Sequence, residues 1–478
     1  MLRKTTVVLT MCAVFFSTVQ SLSIDSSSLT VESRTPAQES IVGIDRYETA
    51  VKISQRNFAR AKNIFLISSD SIPDSVSSTS LAEELDSPIL LSDKDVLGKS
   101  TLTEIQRLNP SKVYLVGGTN SIGTSVEKLL KSLGYRTERI AGSDRCETSY
   151  KLAAYLNNLA FQNSIAIANA ESGILDAISF GPISAKYDMP IFLQHRNDDF
   201  SKIKDYIKKN NISTIYVLGD KSNLPSEISS LDKVNYITGE TLNDINAKIN
   251  DTFYKEPYID SLIVVKDGNK KSTDLADALS VGVMASKENS PILMVGDTLS
   301  NSQISFLKSK RFNTVLQVGG SGNEDAISDI NLILLNSDEE NNSGTNEFTK
   351  FYQEILKLVN QERRKAGLKS VVFDLSLSEV ASLKSQDMAD NGYFNHISPT
   401  YGSAFDMLRA NGISYSWAGE NIAVGQKSPE QVMRDWMNSP THKDNILMPQ
   451  FERLGIGIAA NRSGRLYWTQ IFTGESSI

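Results

Sequence analysis

The side chains best suited to acid-base or metal chemistry lie near the C-terminal end of the chain. The 478-residue sequence contains three histidines, and two of them, His396 and His442, lie on either side of Glu420. Two imidazoles and a carboxylate can ligate a divalent cation such as zinc, or share proton transfer, because histidine titrates near neutral pH. The three residues do not have a local metal-ligand spacing. A joint site is therefore one hypothesis, and a structural, hydrogen-bonded role for each residue is the other.

Other catalytic or cofactor signatures are incomplete. No serine or cysteine stands in a recognisable nucleophile motif. The segment Gly319-Gly320-Ser321-Gly322 lacks a Walker lysine and a complete dinucleotide fingerprint, so it predicts a strand-to-helix turn. The only histidine before residue 336 is His195. These features disfavour a catalytic α/β enzyme in the first 335 residues.

A small domain must bring the two C-terminal histidines and Glu420 together. Apolar residues recur at helical spacing over residues 348–359, 376–391 and 429–437, and two apolar runs, 454–460 and 466–472, are strand candidates. Helices followed by strands predict an α+β sandwich over residues 348–478. The polar, acidic stretch 336–347 before it is typical of a linker.

The preceding part of the chain contains one module three times. A tetrapeptide recurs about 100 residues apart, as Pro88-Ile89-Leu90-Leu91, as Pro190-Ile191-Phe192-Leu193 and as Pro291-Ile292-Leu293-Met294. A period of about 100 residues exceeds the 20 to 50 of solenoid repeats and equals a small domain. The sequence therefore predicts three tandem modules, residues 41–139, 140–236 and 237–335.

Each module is predicted to be a three-layer α/β domain. In module one, the β-branched apolar runs 64–67, 88–91 and 113–116 alternate with helical patterns. Strands that are apolar throughout indicate a parallel sheet covered by helices on both faces. From this pattern alone, the tetrapeptides are better explained as buried strands entered through proline than as a ligand surface, although ligands do bind at strand ends in such sheets.

The N-terminus has the residue order of a secretory signal. Arg3 and Lys4 precede an apolar run from Val7 to Phe16, so residues 1–23 are predicted to be a signal peptide and the polar residues 24–40 a flexible lead. Cleavage would remove Cys12 and leave Cys146 alone, so no disulfide is expected. No later segment has the roughly 18 consecutive apolar residues of a membrane span.

The formal net charge of the chain is −7, which gives no indication of a broadly basic surface. Domains that bind nucleic acids carry a strongly basic face. No nucleic-acid partner is therefore predicted.

Three motifs keep the same register in the modules: the opening Gly-x-Asp-Arg-Tyr-Glu-Thr at residue 43 with its variants at 142 and 239, the tetrapeptides, and Val-Gly-Gly strands. Over residues 41–335 they resemble the type-two cell wall binding repeats of Gram-positive surface proteins. The resemblance implies three modules packed as a pseudo-threefold unit. It also implies non-covalent attachment to an anionic cell wall polysaccharide, through grooves that contain all twelve tetrapeptide residues. Three linked grooves would bind one polymer more tightly than each groove does alone.

Four motifs mark the terminal domain: 395–399, 419–423, 436–442, and Gly455-Ile456-Gly457 with the later segment 467–470. Over residues 348–473 they resemble the CAP superfamily of cysteine-rich secretory, antigen-five and pathogenesis-related proteins, and most closely its disulfide-free bacterial branch. The resemblance implies an α-β-α sandwich with a central cleft, in which His396, Glu420 and His442 match three of four common cleft residues. The fourth, a glutamate, is Ser439 here.

These resemblances predict a secreted protein on the cell wall surface, in the company of surface-layer proteins, that displays a CAP domain. The CAP domain is expected to bind a ligand or a divalent cation, with His396, Glu420 and His442 as the metal ligands. The alternative is a metal-dependent extracellular hydrolase in which the same three residues are catalytic. The fold alone does not decide between them, because CAP domains share a fold more than an activity.

Overall fold

The computed structural model describes residues 35–70, 72, 76–269, 274–320, 322–339 and 346–475. The predicted signal peptide, residues 1–23, and the first part of the predicted lead, residues 24–34, lie outside the described residues. The described part begins with strand β1 (Ala37–Ile41) and helix α1 (Arg46–Asn57).

Module one contains a parallel sheet of four strands, β2 (Asn63–Ser68), β3 (Ile89–Ser92), β4 (Lys112–Val116) and β5 (Arg136–Ile140). The strands lie in the order β3-β2-β4-β5. Its further helices are α2 (Thr79–Glu84), α3 (Lys99–Leu108) and α4 (Thr124–Ser132). The apolar strands are buried along their length, as their composition predicts.

Module two repeats this arrangement, with β6 (Ser164–Asn169), β7 (Ile191–Gln194), β8 (Thr214–Leu218) and β9 (Val234–Ile237) in the order β7-β6-β8-β9. Its helices are α5 (Arg145–Asn157), α6 (Ile174–Lys186) and α7 (Ser201–Lys209). Two short 3-10 turns, Lys221–Asn223 and Ser226–Ser230, stand where module one has α4.

Module three has three strands of its own, β10 (Tyr258–Lys266), β11 (Ile292–Val295) and β12 (Arg311–Val318). Its helices are α8 (Leu242–Phe253), α9 (Leu275–Lys287), α10 (Asn301–Lys308) and α11 (Glu324–Glu339). The fourth strand of its sheet is β1, which pairs in parallel with β12 from Ala37 opposite Thr314 to Ile41 opposite Val318. The N-terminal segment therefore closes the three modules into a ring.

This closure corrects the prediction that residues 24–40 are a flexible lead only for residues 37–40, because residues 24–34 lie outside the described residues. Residues 37–40 form most of β1, and the Gly319 N–H donates to the carbonyl oxygen of Ile41 (3.0 Å). The strand is polar and only Ile41 is buried, so its local pattern does not indicate a strand. Its partner β12 supplies the hydrogen bonds that make this segment a strand. Without β1, the edge of β12 would expose a row of unpaired backbone N–H and C=O groups.

Helices α2, α6 and α9 pack against one another at the centre of the three modules. Thr79, Gly181 and Gly282 occupy the equivalent position of the three helices and meet there. A Cβ atom at Gly282 would lie 2.8 Å from Thr79 Cγ2, whereas one at Gly181 would lie 3.5 Å from Thr79 Oγ1. The pseudo-threefold packing predicted from the resemblance is confirmed. Glycine at two of the three central positions leaves room for the side chain of Thr79.

The Gly282→Ala substitution is expected to lower the free energy of unfolding of the three-module unit by about 1–3 kcal/mol, because the added methyl group overpacks the contact with Thr79. Calorimetric unfolding of the full chain measures the change. Gly181→Ala is the matched control at the equivalent helical position. Its Cβ makes an ordinary contact, so the gain in helix propensity, about 0.5–1 kcal/mol, should dominate. Adding Thr79→Ala to Gly282→Ala should restore stability; equal effects of the two glycine substitutions would contradict the packing.

The terminal domain has a four-stranded sheet made of β13 (Val372–Phe373), β14 (Trp417–Val424), β15 (Arg453–Ala460) and β16 (Leu466–Gly474). The order is β13-β15-β16-β14, with β13 parallel to β15 and the other pairs antiparallel. Its helices are α12 (Asn346–Lys365), α13 (Leu375–Asn391), α14 (Ala404–Ala410), α15 (Pro429–Asn438) and α16 (Pro440–Ile446).

Helices cover both faces of this sheet. Trp468 and Phe472 of β16 pack with α12, α15 and α16, while Ile471, between them, packs with α13 and α14. Gly457 lets α13 lie directly on β15, since a Cβ there would lie 2.1 Å from the backbone carbon of Ala381. The predicted α-β-α sandwich is confirmed.

The terminal domain also contacts module three. The Asn331 side-chain amide of α11 donates to the Phe373 carbonyl oxygen (2.7 Å), and the Phe373 N–H donates to Ser328 Oγ (3.0 Å). Helix α11 continues to Glu339 and α12 begins at Asn346, so both ends of the predicted linker 336–347 are helical. Residues 340–345 of that linker lie outside the described residues. Among the described helices, none combines the length and apolar content needed to cross a membrane.

Candidate functional site

Three structural elements of the terminal domain supply the predicted cleft residues. His396 lies in the loop between α13 and α14, Glu420 lies on edge strand β14, and His442 lies on the short helix α16. His396 Nδ1 and Glu420 Oε2 are 2.6 Å apart. The imidazole is 55 % exposed and the carboxylate side chain 5 % exposed, so a buried anion orients an accessible ring.

The contact fixes the chemistry of both groups. When the neutral ring donates a hydrogen bond from Nδ1–H to this carboxylate, the other ring nitrogen of His396 keeps its lone pair and can bind a cation. The second oxygen of Glu420, Oε1, is buried and has no hydrogen-bond partner among the described residues. A buried carboxylate oxygen without a donor is costly, so this oxygen would gain from a cation or a donor brought by a ligand.

The surroundings of His442 favour its neutral form. Burial lowers the pKa of His442, and the nearby His396 lowers it further. Asn421 Nδ2 donates to the His442 carbonyl oxygen (3.1 Å), and Asn445 Nδ2 donates to the Glu420 carbonyl oxygen (3.1 Å). These two amides tie α16 to β14, and therefore fix His442 relative to Glu420.

The three predicted residues belong to neighbouring elements, but their ligand atoms are too far apart to bind one metal ion without movement. Ligand atoms of His396, Glu420 and His442 do not all lie within 4.8 Å of one another. The donor types nevertheless suit zinc, and the fourth zinc ligand in catalytic sites is a water molecule. The residues fit a divalent cation provided that the exposed His396 ring moves toward His442.

Ser439, which replaces the expected fourth cleft glutamate, lies between α15 and α16, with its Oγ 3.4 Å from Thr441 Oγ1. Asp435 and Glu430, the other carboxylates of this segment, are exposed. Asp435 accepts a hydrogen bond from Gln426 Nε2 (3.0 Å). No second carboxylate is therefore supplied at the Ser439 position.

Lys384 supports the cleft from inside the domain, and sequence reasoning missed it. It is fully buried on α13, and its ammonium group donates to the Asn395 carbonyl oxygen (2.8 Å) and to Tyr393 Oη (3.2 Å). Burial lowers the pKa of Lys384, although the charges of Glu420 and Asp387 raise it. Its position, four residues after the apolar Val380, was the available indication, because it places a lysine on the buried face of the helix.

Asp387, one turn further along α13, fixes the loop that carries His396. Its carboxylate accepts hydrogen bonds from Ser398 Oγ (2.7 Å), Thr400 Oγ1 (3.0 Å) and the hydroxyl of Tyr393. Burial raises the pKa of Asp387, but these hydrogen bonds outweigh it and the pKa is lowered. The anion therefore remains charged and holds the loop against the helix.

The twelve tetrapeptide residues lie in the edge strands β3, β7 and β11 and the prolines before them, and all are buried. The backbone of these strands is also occupied: the Leu193 N–H donates to Ser149 Oγ (3.0 Å) and the Met294 N–H to Asn246 Oδ1 (3.0 Å). Polymer binding at these positions stays a prediction. Because the side chains face the core, they would act by positioning the loops that follow.

Those loops lie at the carboxyl edge of each sheet, beside the first turn of α1, α5 or α8. In module three this place is a cavity of about 410 Å³ whose lining includes Asn243, Lys266 and Asp297. In module one Tyr47 lies at this place, and its hydroxyl contacts Asp93 and Ser69. Ligands bind at this edge in parallel α/β sheets, so it is the candidate polymer site of each module.

The ring of three modules and the CAP sandwich together define a wall-associated surface protein. The sequence model of the cell wall binding domain 2 (CWB2) family matches residues 40–127, 139–229 and 237–329, and that of the cysteine-rich secretory protein family matches residues 356–472. The first covers more than half of the chain. The chain belongs to the cell wall binding domain 2 family and carries a C-terminal CAP domain, which confirms both resemblances.

Individual relatives agree with this assignment. Cwp6 from Clostridium difficile superposes with a TM-score of 0.58 and 27 % identity, over 64 % of this chain and 48 % of that one. Bacillus subtilis YkwD is 49 % identical over 133 residues, which are 28 % of this chain and 51 % of YkwD. The N-acetylmuramoyl-L-alanine amidase LytC of Bacillus subtilis is 26 % identical over 283 residues, 58 % of this chain and 54 % of LytC. The chain spans about half the length of the relatives it matches.

Proposed function

We propose that this protein is secreted, binds an anionic cell wall polysaccharide through its three modules, and displays the CAP domain at the wall surface beside surface-layer proteins. The ring closed by β1 carries this proposal. It holds the three corresponding strand ends in one body, so the second and third contacts with one polymer would be intramolecular. Three weak sites then give durable, non-covalent attachment.

The chain carries a net negative charge, so it must bind an anionic polymer through local cationic side chains. Arg46 and Arg145 begin the first helix of modules one and two and reach the carboxyl edge of the sheet, where their Nη1 atoms donate to the carbonyl oxygens of Ser69 (3.2 Å) and Ala170 (2.8 Å). Leu242 stands at this position in module three. The proposal therefore assigns the stronger phosphate or carboxylate contacts to modules one and two.

Retention of the purified full chain on cell walls tests the anchor. Walls that keep their anionic polymer should retain the chain saturably, and walls stripped of it should not. The double substitution Arg46→Ala with Arg145→Ala is expected to weaken retention at least about tenfold, because each charge-assisted contact contributes about 1.5–3 kcal/mol. Lys208→Ala with Lys209→Ala removes the same charge from an exposed helix and should have little effect. Equal loss in the two double variants would contradict binding at the strand ends.

A second proposal concerns the CAP cleft, and the unpartnered Glu420 oxygen favours it. We propose that His396 and His442 bind a divalent cation, zinc in the first instance, with Glu420 orienting His396. A bound zinc ion would supply Lewis-acid activation of water, as the hydrolase alternative requires. With Ser439 in place of a second carboxylate, the cleft lacks a further acid-base group, so ligand or metal binding is the better-supported role.

Zinc titration of the chelator-stripped full chain tests the cleft. His396→Ala with His442→Ala should bind one zinc ion fewer than the wild type, because two of the ligands are lost. Glu420→Gln should weaken this zinc about 10- to 100-fold, as expected for a partner that orients a ligand. Ser439→Glu, which restores the expected carboxylate, should strengthen it. Identical stoichiometry in the wild type and the double histidine variant would exclude the metal site and, with it, the metal-dependent hydrolase.

A further inference from the structure

Module two brings a thiol, an imidazole and a carboxylate together at the carboxyl edge of its sheet. Cys146 lies in the first turn of α5, His195 directly follows β7, and Asp198 lies in the same loop. One ligand atom of each residue lies within 4.8 Å of the other two. Over the part of the chain that the structure describes, no other trio of histidine, cysteine or acidic side chains meets this distance.

Cysteine and histidine are rare in this chain, so their proximity in module two is informative. Cys146 is the only cysteine among the described residues, and His195 is one of three histidines in the sequence. At the equivalent positions, module one has the hydrogen-bonded pair Tyr47 and Asp93. Module three has Asn243 and Gly296 at these positions, and both line its cavity. Among the three modules, only module two has two residue types here that can be zinc ligands, Cys146 and His195.

We propose that Cys146, His195 and Asp198 bind a zinc ion that fastens the loop after β7 to the first turn of α5. A thiolate, an imidazole and a carboxylate are all zinc ligands, whereas calcium and magnesium prefer oxygen ligands alone. In tetrahedral zinc sites the ligand atoms lie about 3.5 Å apart. The trio therefore has to contract by at most about 1.3 Å, which side-chain rotation of the exposed Asp198 and the half-exposed His195 can provide.

The surroundings of the trio supply a further ligand and the expected competition from protons. Glu171 Oε1 is 3.7 Å from His195 Nδ1, and this exposed carboxylate can complete a tetrahedral set or leave the fourth place to water. Burial raises the pKa of the Cys146 thiol to about 11, although the backbone N–H of His195 opposes this. Zinc binding must therefore displace the thiol proton.

Cobalt(II) titration of the chelator-stripped full chain tests the site, because a cobalt-bound thiolate gives a charge-transfer absorption that imidazole and carboxylate ligands do not. The wild type should show this absorption with one equivalent of cobalt, and zinc should displace it. Cys146→Ser should abolish it, and Asp198→Asn should weaken cobalt binding at least about tenfold. The absorption should persist in Cys12→Ser and in the double variant His396→Ala with His442→Ala, since neither touches module two.

Cys146→Tyr with His195→Asp provides a variant that keeps the fold. It installs the pair that module one already uses, so the variant should fold and bind no cobalt in module two. Its zinc dependence is measured in the background His396→Ala with His442→Ala, because the CAP-domain histidines are themselves proposed to bind zinc. In that background the melting temperature should rise with zinc when Cys146 and His195 are present, because a ligand of the native state stabilises it by mass action, and it should be independent of zinc in the module-two variant. In the same background, cobalt binding without the thiolate absorption, or an equal zinc-dependent rise in the module-two variant, would overturn the proposal.

Discussion

Replacing Arg363 by methionine is expected to lower the free energy of unfolding of the CAP domain by about 3–5 kcal/mol. Arg363, near the end of α12, is fully buried. Its guanidinium donates to the carbonyl oxygens of Lys369 (2.8 Å), Ile446, Met448 and Phe451 (2.9 Å each). Burial lowers the pKa of Arg363 to about 10, so it is still a cation at neutral pH.

Methionine has a similar length but no donor, so it leaves four carbonyl oxygens without their partner. Each unpaired buried group costs about 1–3 kcal/mol, although water can reach some of them after relaxation. One of these oxygens belongs to Ile446, the last residue of α16, the helix of His442, and two belong to Met448 and Phe451 in the segment that follows it. The substitution should therefore also weaken metal binding in the CAP cleft, without affecting wall retention.

Tryptophan fluorescence during urea unfolding measures this change, because Trp417, Trp436 and Trp468 are the three tryptophans of the chain and all lie in the CAP domain. Arg364→Met is the matched control. Arg364 is exposed and contacts Ser370 Oγ at 3.2 Å and Asp325 at 3.9 Å, so its loss should cost about 1 kcal/mol or less. A similar small effect at Arg363 would show that the buried cation does not hold the domain together.

Removing β1 is expected to destabilise the ring of modules by about 3–6 kcal/mol. A chain that begins at Val42 loses the buried side chain of Ile41, worth about 1.5–3 kcal/mol, and the backbone hydrogen bonds to β12, worth about 1 kcal/mol each. It also exposes the edge of β12, which can pair with another chain. Once module three loosens, attachment to the wall polymer should fall by more than the loss of one site, because the three sites are no longer held in one body.

A chain that begins at Thr35 is the control, since it removes only residues outside the described part. Circular dichroism during heating and wall retention should match the full chain for this control and fall together for the shorter chain. Light scattering should detect association only in the shorter chain. If the chain beginning at Val42 melts and binds like the control, β1 does not close the ring.

The sequence determined the modules and the fold class, because burial leaves a periodic trace in local sequence. Continuous apolar runs predicted the parallel strands, and the same pattern indicated that the tetrapeptides are buried, which their positions in β3, β7 and β11 bear out. The CAP motifs marked His396 and Glu420, whose side chains are in contact, whereas the joint site with His442 stays a prediction. The Gly455-Ile456-Gly457 motif has glycine at two positions because α13 lies directly against β15 and leaves no room there for a Cβ atom.

Only the tertiary structure decided how distant segments complete one another. Strand β1 is polar, and its partner β12 lies at the far end of the repeats, so no local pattern identifies it. The charges of Arg363 and Lys384 are buried because carbonyl oxygens from other segments surround them, and the Cys146, His195 and Asp198 side chains meet because α5 and β7 pack side by side. Local periodicity records which side chains are buried, whereas pairing across the chain decides which of them meet.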